Sequence, residues 1–183
     1  MLNGMRRSVC VGLLLLSSLT VFSQRVALKT NALYWAASSP NLGLELRVNR
    51  HVTFDIDATF HRFKWKDKLD TRAEILTPEV RYWFSARPQA RHYLGIMGLA
   101  ANYKFIIKQD HHIGDAYGVG LTYGYSFPLS RHWSLETSIG AGYGYRREKN
   151  YDSQSEPEPE RNNYNKWQLM PMKAGVSFVY IIK

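Results

Sequence analysis

From Ala116 to Phe127 the chain alternates almost without a break. Tyr117, Val119, Leu121, Tyr123, Tyr125 and Phe127 take one parity, and Gly118, Gly120, Thr122, Gly124 and Ser126 take the other. Successive side chains of a strand face opposite sides, so one face here is large and apolar and the other small and polar. The pattern returns along the chain. Strands are predicted at Arg25–Trp35, Leu42–Asn49, Val52–His61, Arg72–Phe84, Tyr93–Ile107, Ala116–Phe127, Trp133–Tyr145 and Trp167–Ile182. Leu42, Leu44, Leu46 and Val48 share an outward face opposite Gly43, Glu45, Arg47 and Asn49. Val52, Phe54, Ile56, Ala58 and Phe60 oppose Thr53, Asp55, Asp57, Thr59 and His61. Strand five is apolar on both parities, so its faces stay unassigned. Pro78 interrupts strand four, where it lacks a ladder donor.

The segments between these strands read as turns and loops. Ser38–Asn41, Asn49–His51, Ser85–Arg91 and Pro128–Arg131 are turns. Lys64–Asp70, Lys108–Gly114 and Arg146–Asn165 are loops, the last rich in Glu, Asn, Ser and Pro. The expected fold is all-β: an eight-stranded antiparallel up-and-down transmembrane β-barrel with both termini periplasmic. Short turns alternate with longer external loops; the short turn after strand one departs from that rule. Aromatics gather at both strand ends as two girdles. Trp65, Tyr103, Phe105, Tyr143, Tyr145 and Trp167 form the outer one, and Phe84, Tyr125, Phe127, Trp133 and Tyr180 the periplasmic one. A lipocalin-like soluble barrel also alternates, but its exterior is charged. Here the outward faces of strands two, three, six and seven carry no charge between their ends.

Arg6 and Arg7 precede an apolar run from Val9 to Leu16, and Val21-Phe22-Ser23 offers small residues for cleavage. Residues 1–23 are therefore expected to be a secretory signal peptide, with residues 24–183 a single barrel domain. The one cysteine, Cys10, falls in that leader, so no disulfide is expected in the mature chain. Mean hydropathy is −0.35, as in barrels that keep polar residues in the lumen. The net charge of +9 raises nucleic acid as a partner, but the basic residues make no cluster interleaved with aromatics. Outer-membrane lipid headgroups are the better partner for this charge. Localisation in the outer membrane follows.

An eight-stranded barrel leaves room inside only for side chains. The inward charges are Lys29, Glu45, Arg47, Asp55, Asp57, Glu79, Arg81, Glu136 and Lys173. They are expected to neutralise one another as a structural plug rather than to line an ion path. No catalytic residue, cofactor or metal site is expected. His132, Ser134 and Glu136 resemble a lipid A-modifying hydrolase signature, but strand parity turns them inward, away from lipid. Asp110, His111, His112 and Asp115 share a loop without standard metal spacing. Asp152, Glu156, Glu158 and Glu160 sit on a stiff Glu-Pro run poorly suited to calcium.

The last strand, with Lys173, Gly175, Phe178 and Tyr180, resembles the signal read by the outer-membrane assembly machinery. Lys29-Thr30-Asn31-Ala32-Leu33-Tyr34, Pro40-Asn41-Leu42-Gly43-Leu44-Glu45 and Pro78-Glu79-Val80-Arg81-Tyr82-Trp83-Phe84 together resemble the uncharacterised domain-of-unknown-function family 3575. That resemblance implies a small outer-membrane barrel of Gram-negative bacteria and no catalytic residues. It also implies an accessory role in fimbrial or surface assembly as an alternative. The expected function is a non-enzymatic barrel with a structural or surface-interaction role, and residues 146–165 are the expected surface for a protein partner.

Overall fold

The structure, a computed structural model, describes residues 26–65, 69–85, 87, 89–107, 110–152, 159 and 162–182. The expected signal peptide lies outside them. Eight antiparallel strands run in chain order: β1 Val26–Asn31, β2 Asn41–Arg47, β3 Val52–Trp65, β4 Leu69–Trp83, β5 Arg91–Ile107, β6 Asp110–Pro128, β7 Trp133–Asp152 and β8 Tyr164–Ile182. Each pairs with the next, and β8 pairs back onto β1, Val26 opposite Ile182, so the sheet closes on itself. Closure removes the free edges that an open sheet would expose.

The first strand is shorter than its alternation predicts. It stops at Asn31, and Ala32–Ala36 form the helix α1. Asn31 is the reason. Its side-chain oxygen caps the helix by accepting from the Leu33 N–H at 3.1 Å and also accepts from the Val176 N–H at 3.2 Å. Its amide donates to the Ala174 carbonyl at 3.1 Å. One side chain therefore ends the strand, starts the helix and ties both to β8. The helix thus replaces the end of the strand expected to run to Trp35, ahead of the turn at Ser38.

The other correction runs the opposite way. The charged segments 64–70, 108–114 and 146–165 are expected to be loops, yet most of their described residues continue the strands. Lys64 stands opposite Asp70, and Asp115 opposite Arg147. Opposite charges on facing positions support a ladder as well as apolar pairs do. Polarity there marks water, not irregular backbone. At ~3.4 Å per residue, β7 is about 65 Å long. β1 and β2 have only 6 and 7 residues, so the wall is low on one side and tall on the other.

Strand parity divides the molecule into a surface and a filling. Ile96, Val119, Leu121 and Ile139 are each 67% exposed on the outer face. Strand five resolves in register with its neighbours: Leu94 and Ile96 face out with Tyr82 and Val80, while Tyr93 and Met97 are buried inside. Tyr103 and Phe105, both expected in the outer girdle, take the inward parity of β5 with Tyr93 and Met97. At the end carrying the short turns, Trp83 donates through its indole N–H to Thr53 Oγ1 at 2.9 Å, and its ring lies 4.7 Å from that of Tyr93. Buried Gln89, on the β4–β5 turn, accepts from Ser126 Oγ through its carbonyl.

Glycines face one another across the inner side of β6 and β7. Gly118 stands opposite Gly144 and Gly120 opposite Gly142, with the Met172 thioether in the space they leave. A Cβ on Gly142 would run into the Val119 carbonyl oxygen and the Gly120 backbone. Neither can move without breaking the ladder. Gly142→Val is expected to cost at least ~1–3 kcal/mol, read as a lower urea midpoint of the refolded protein.

Candidate functional site

Register sets up an electrostatic conflict at the centre of the ring. Glu45 on β2 stands opposite Asp55 on β3, which stands opposite Glu79 on β4. Like charges on directly facing positions repel. All three carboxylates are buried. Glu136 reaches in from β7 and Asp57 from the next inward position of β3. Three cations answer them.

Arg81, fully buried, is the hub. Its Nη1 lies 3.1 Å from Glu45 Oε2 and 3.3 Å from Glu136 Oε1. Its Nη2 lies 2.6 Å from Asp55 Oδ2 and 2.9 Å from Glu79 Oε2. A planar fork of donors suits several carboxylates at once, which a lysine ammonium does not. Lys29 Nζ sits 3.2 Å from Asp55 Oδ1 and Glu136 Oε1 and 3.4 Å from Glu45 Oε2. Lys173 Nζ lies 2.8 Å from both Asp57 Oδ2 and Glu79 Oε2. Hydroxyls complete the set. Tyr93 donates to Glu136 at 2.9 Å, and Thr122 donates to Glu79. The Arg81 guanidinium also lies over the Tyr93 ring, 4.7 Å from its centroid.

Eight of the nine inward charges named from sequence meet in this cluster. Arg47 does not: near the open end of β2, its Nε donates to the Asn49 carbonyl at 3.1 Å instead. Five carboxylates therefore face three cations, and Tyr93 and Thr122 take part in place of the fourth. Sequence alternation missed Tyr93 because strand five is apolar on both parities, and missed Thr122 because a hydroxyl among glycines carries no charge signal. The space between α1 and this network is about 40 Å³, room for about one water.

A second, smaller cluster closes the other end of the lumen. Glu148 on β7 is buried, and Arg146 grips it with Nη2 2.7 Å from Oε1 and Nε 3.2 Å from Oε2. Tyr103 donates to Glu148 Oε2 at 2.9 Å, and His112 Nδ1 lies 3.8 Å from Oε1. The Arg146 guanidinium also faces the Tyr103 and Tyr164 rings. Burial pushes the Glu148 carboxyl up, but hydrogen bonds from Arg146 and Tyr103 more than offset it and hold it below the ordinary range. Reading residues 146–165 as a loop hid this cluster; the parity of Gly140, Gly142 and Gly144, extended two steps further, reaches Arg146 and Glu148.

The remaining residues named from sequence are dispersed. Ser134 is buried on the lumen face, whereas the His132 ring stacks on outward Tyr180 at 6.1 Å. Parity had turned both inward; His132 precedes β7 and escapes it. Glu136 is engaged by Lys29 and Arg81. His111 and His112 follow each other on β6 and so project to opposite faces. Among the described residues no three His, Cys, Asp or Glu side chains gather as a metal site. Glu156, Glu158 and Glu160 lie outside the described residues. Gly175 faces inward on β8, where a Cβ would meet the Asn31 amide, while Phe178 and Tyr180 are exposed on the outer face.

The model of the family described as "Protein of unknown function (DUF3575)" matches residues 9–182, and the chain belongs to that family. No curated protein matches the chain.

Arg81→Met leaves the five carboxylates around two lysines. It is expected to destabilise the fold by ~3–5 kcal/mol, measured by urea unfolding. Glu148→Gln tests the second cluster by pH. A carboxyl depressed on folding stabilises fully above the unfolded value of ~4.3 and loses that contribution as pH falls through its folded value. The variant is therefore expected to melt below wild type at pH 7, with the gap closing towards pH 3.

Proposed function

We propose that this member of the family is an integral outer-membrane β-barrel with a sealed lumen, acting through its surface and not as an enzyme. One observation carries the reading: ionised side chains fill the inside of a closed ring while its outer face at mid-height is apolar. The outer face of β6 runs Tyr117, Val119, Leu121, Tyr123 with no charge, and Ile96, Ile139 and Leu169 continue it around the ring. A ring dissolved in water would place these groups the other way round. Tyr143 and Trp167 stack at 5.6 Å on the outer face of β7 and β8, suited to a membrane boundary. His51, Tyr82, Phe84, His92, Tyr125 and Phe127 form a second run of ring contacts towards the short-turn end.

The closed ring with its packed interior supports a structural or surface-interaction role over conduction. Hairpins β5–β6 and β7–β8 extend well past the ~25 Å apolar band of a spanning barrel, and there they offer a surface to a partner outside the cell. Accessory service in fimbrial or surface assembly is one form such a role takes. Export through a cleaved leader and insertion by the outer-membrane assembly machinery complete the proposal.

Val119→Arg separates this reading from a water-soluble barrel. An arginine on the lipid face near mid-span is expected to cost ~2–4 kcal/mol and to lower the outer-membrane yield. On a soluble barrel the same change is neutral or improves solubility. Fractionation of expressing cells, with urea unfolding of the refolded protein in detergent, reads the difference.

A further inference from the structure

The outer face of the tall wall carries two neighbouring features, a row of cations and an apolar trough, that the lumen plug does not use. The first is a row of cations in register. Arg62 on β3 faces Arg72 on β4, Arg72 faces Lys104 on β5, Lys104 faces Ile113 on β6, and Ile113 faces Lys149 on β7. Facing like charges are destabilising, so such a row invites an anion. Across the three outward rows there, Arg62, Lys64, Arg72, Lys104, Arg147 and Lys149 outnumber Asp70, Glu74 and Asp115. Arg72 also holds Asp70 at 2.9 Å, and Arg147 approaches Asp115 at 3.9 Å. Among the described residues the acids are thus partly engaged and the cations outnumber them. A cavity of about 330 Å³ opens here, with Arg72, Lys104, Lys149 and Asn102 on its walls beside Glu74 and Asp115.

The second feature lies two outward rows nearer the apolar band. Small residues at Gly98 and Ala100 leave a trough of about 510 Å³ between Leu76 and Pro78 on one side and Tyr117, Tyr143 and Trp167 on the other. Its lining is almost wholly apolar. Lys104 and Ala100 share a strand and a face, about 13 Å apart at ~3.3 Å per residue. The Arg147 guanidinium, 5.8 Å from the Tyr117 ring centroid, joins the two regions.

We propose that this face binds one phosphorylated membrane lipid, its headgroup phosphates in the basic cavity and an acyl chain along the trough. The occupant follows from charge and shape together. A free phosphate has no use for the trough, and a neutral lipid none for the cations. The row from Arg62 to Lys149 crosses four strand spacings, about 19 Å, which is too wide for one phosphate and suits a headgroup bearing two. Paired guanidinium and ammonium donors hold phosphate oxygens strongly at a partly dehydrated boundary.

The inference rests on the outer-membrane reading, and its test is separable from that of Val119→Arg. The full mature chain, refolded in detergent, is titrated with bisphosphoryl lipid A, with the same lipid stripped of both phosphates, and with inorganic phosphate. Binding is followed by native mass spectrometry. The expected result is a preference of about tenfold or more for the phosphorylated lipid, with inorganic phosphate unable to displace it. The pair Arg72→Gln and Lys104→Gln is expected to abolish that preference. Ala100→Phe, which fills the trough, is expected to weaken both lipids. Equal binding of the two lipids by wild type overturns the inference and leaves the barrel reading standing. So does displacement by inorganic phosphate, or an Ala100→Phe protein that binds as wild type. If the double variant fails to refold, the wild-type comparison and Ala100→Phe still decide.

Discussion

A ring of eight strands is too narrow to hold water-filled space along its axis, so every inward side chain must find its partners among the others. That constraint organises the molecule. Glu45, Asp55 and Glu79 are placed side by side by strand register, and Arg81 and Lys29 are what make the placement tolerable. Arg81 touches carboxylates from β2, β3, β4 and β7, so the contacts that neutralise it come from both sides of the ring. Sliding one strand by one residue would turn its carboxylates outward and its leucines inward. The network thus specifies register as well as filling space. Buried ion pairs of this kind add less to stability than their number suggests, because each charge is first stripped of water.

Filling is achieved differently along the axis. Near the short turns, Trp83 and Tyr93 occupy the cross-section with large rings. In the centre, ion pairs and hydroxyls do so. Further along, the glycines of β6 and β7 leave room for the Met172 thioether, and the cluster around Glu148 closes the last tier. Glycine is needed where backbones and a long side chain compete for one volume, not where the chain turns: among the described residues no glycine has a positive φ, while Ser38, Gln89 and Arg91 do. The capping of α1 by Asn31 belongs to the same logic, since it covers the side where the wall is lowest.

Most of this was legible in the alternation. Strand order, the faces of β2, β3, β6 and β7, and eight of the charges in the central network follow from period-two spacing and the small bore of the ring. Three things were not. Strand five hides its faces because Leu94, Ile96 and Met97 are all apolar, and only pairing with β4 and β6 tells them apart. Strand ends are hidden because a charged segment reads as loop, whereas facing pairs such as Lys64 with Asp70 extend the ladder into water. The helix after Asn31 was invisible because Ala32 and Tyr34 continue the strand's own alternation, and the competing choice depends on β8, distant in sequence. Arg47 shows the limit of parity: an inward position near a strand end is not yet an interior position.

If the ring spans the outer membrane as proposed, the difference in height between its two walls has a consequence for the surrounding lipid. Tilted about 40°, the six and seven residues of β1 and β2 reach roughly 16 Å along the membrane normal, less than a spanning barrel's apolar band of about 25 Å. Leu33 and Trp35 of α1, both exposed, add apolar area above them. In a bilayer, acyl chains beside this flank would have to shorten or splay while those beside β6 and β7 stay extended. Such one-sided compression costs a fraction of a kcal/mol per ångström of mismatch. On the proposed membrane reading, it would draw the low flank towards thinner patches and towards neighbours that share the deformation.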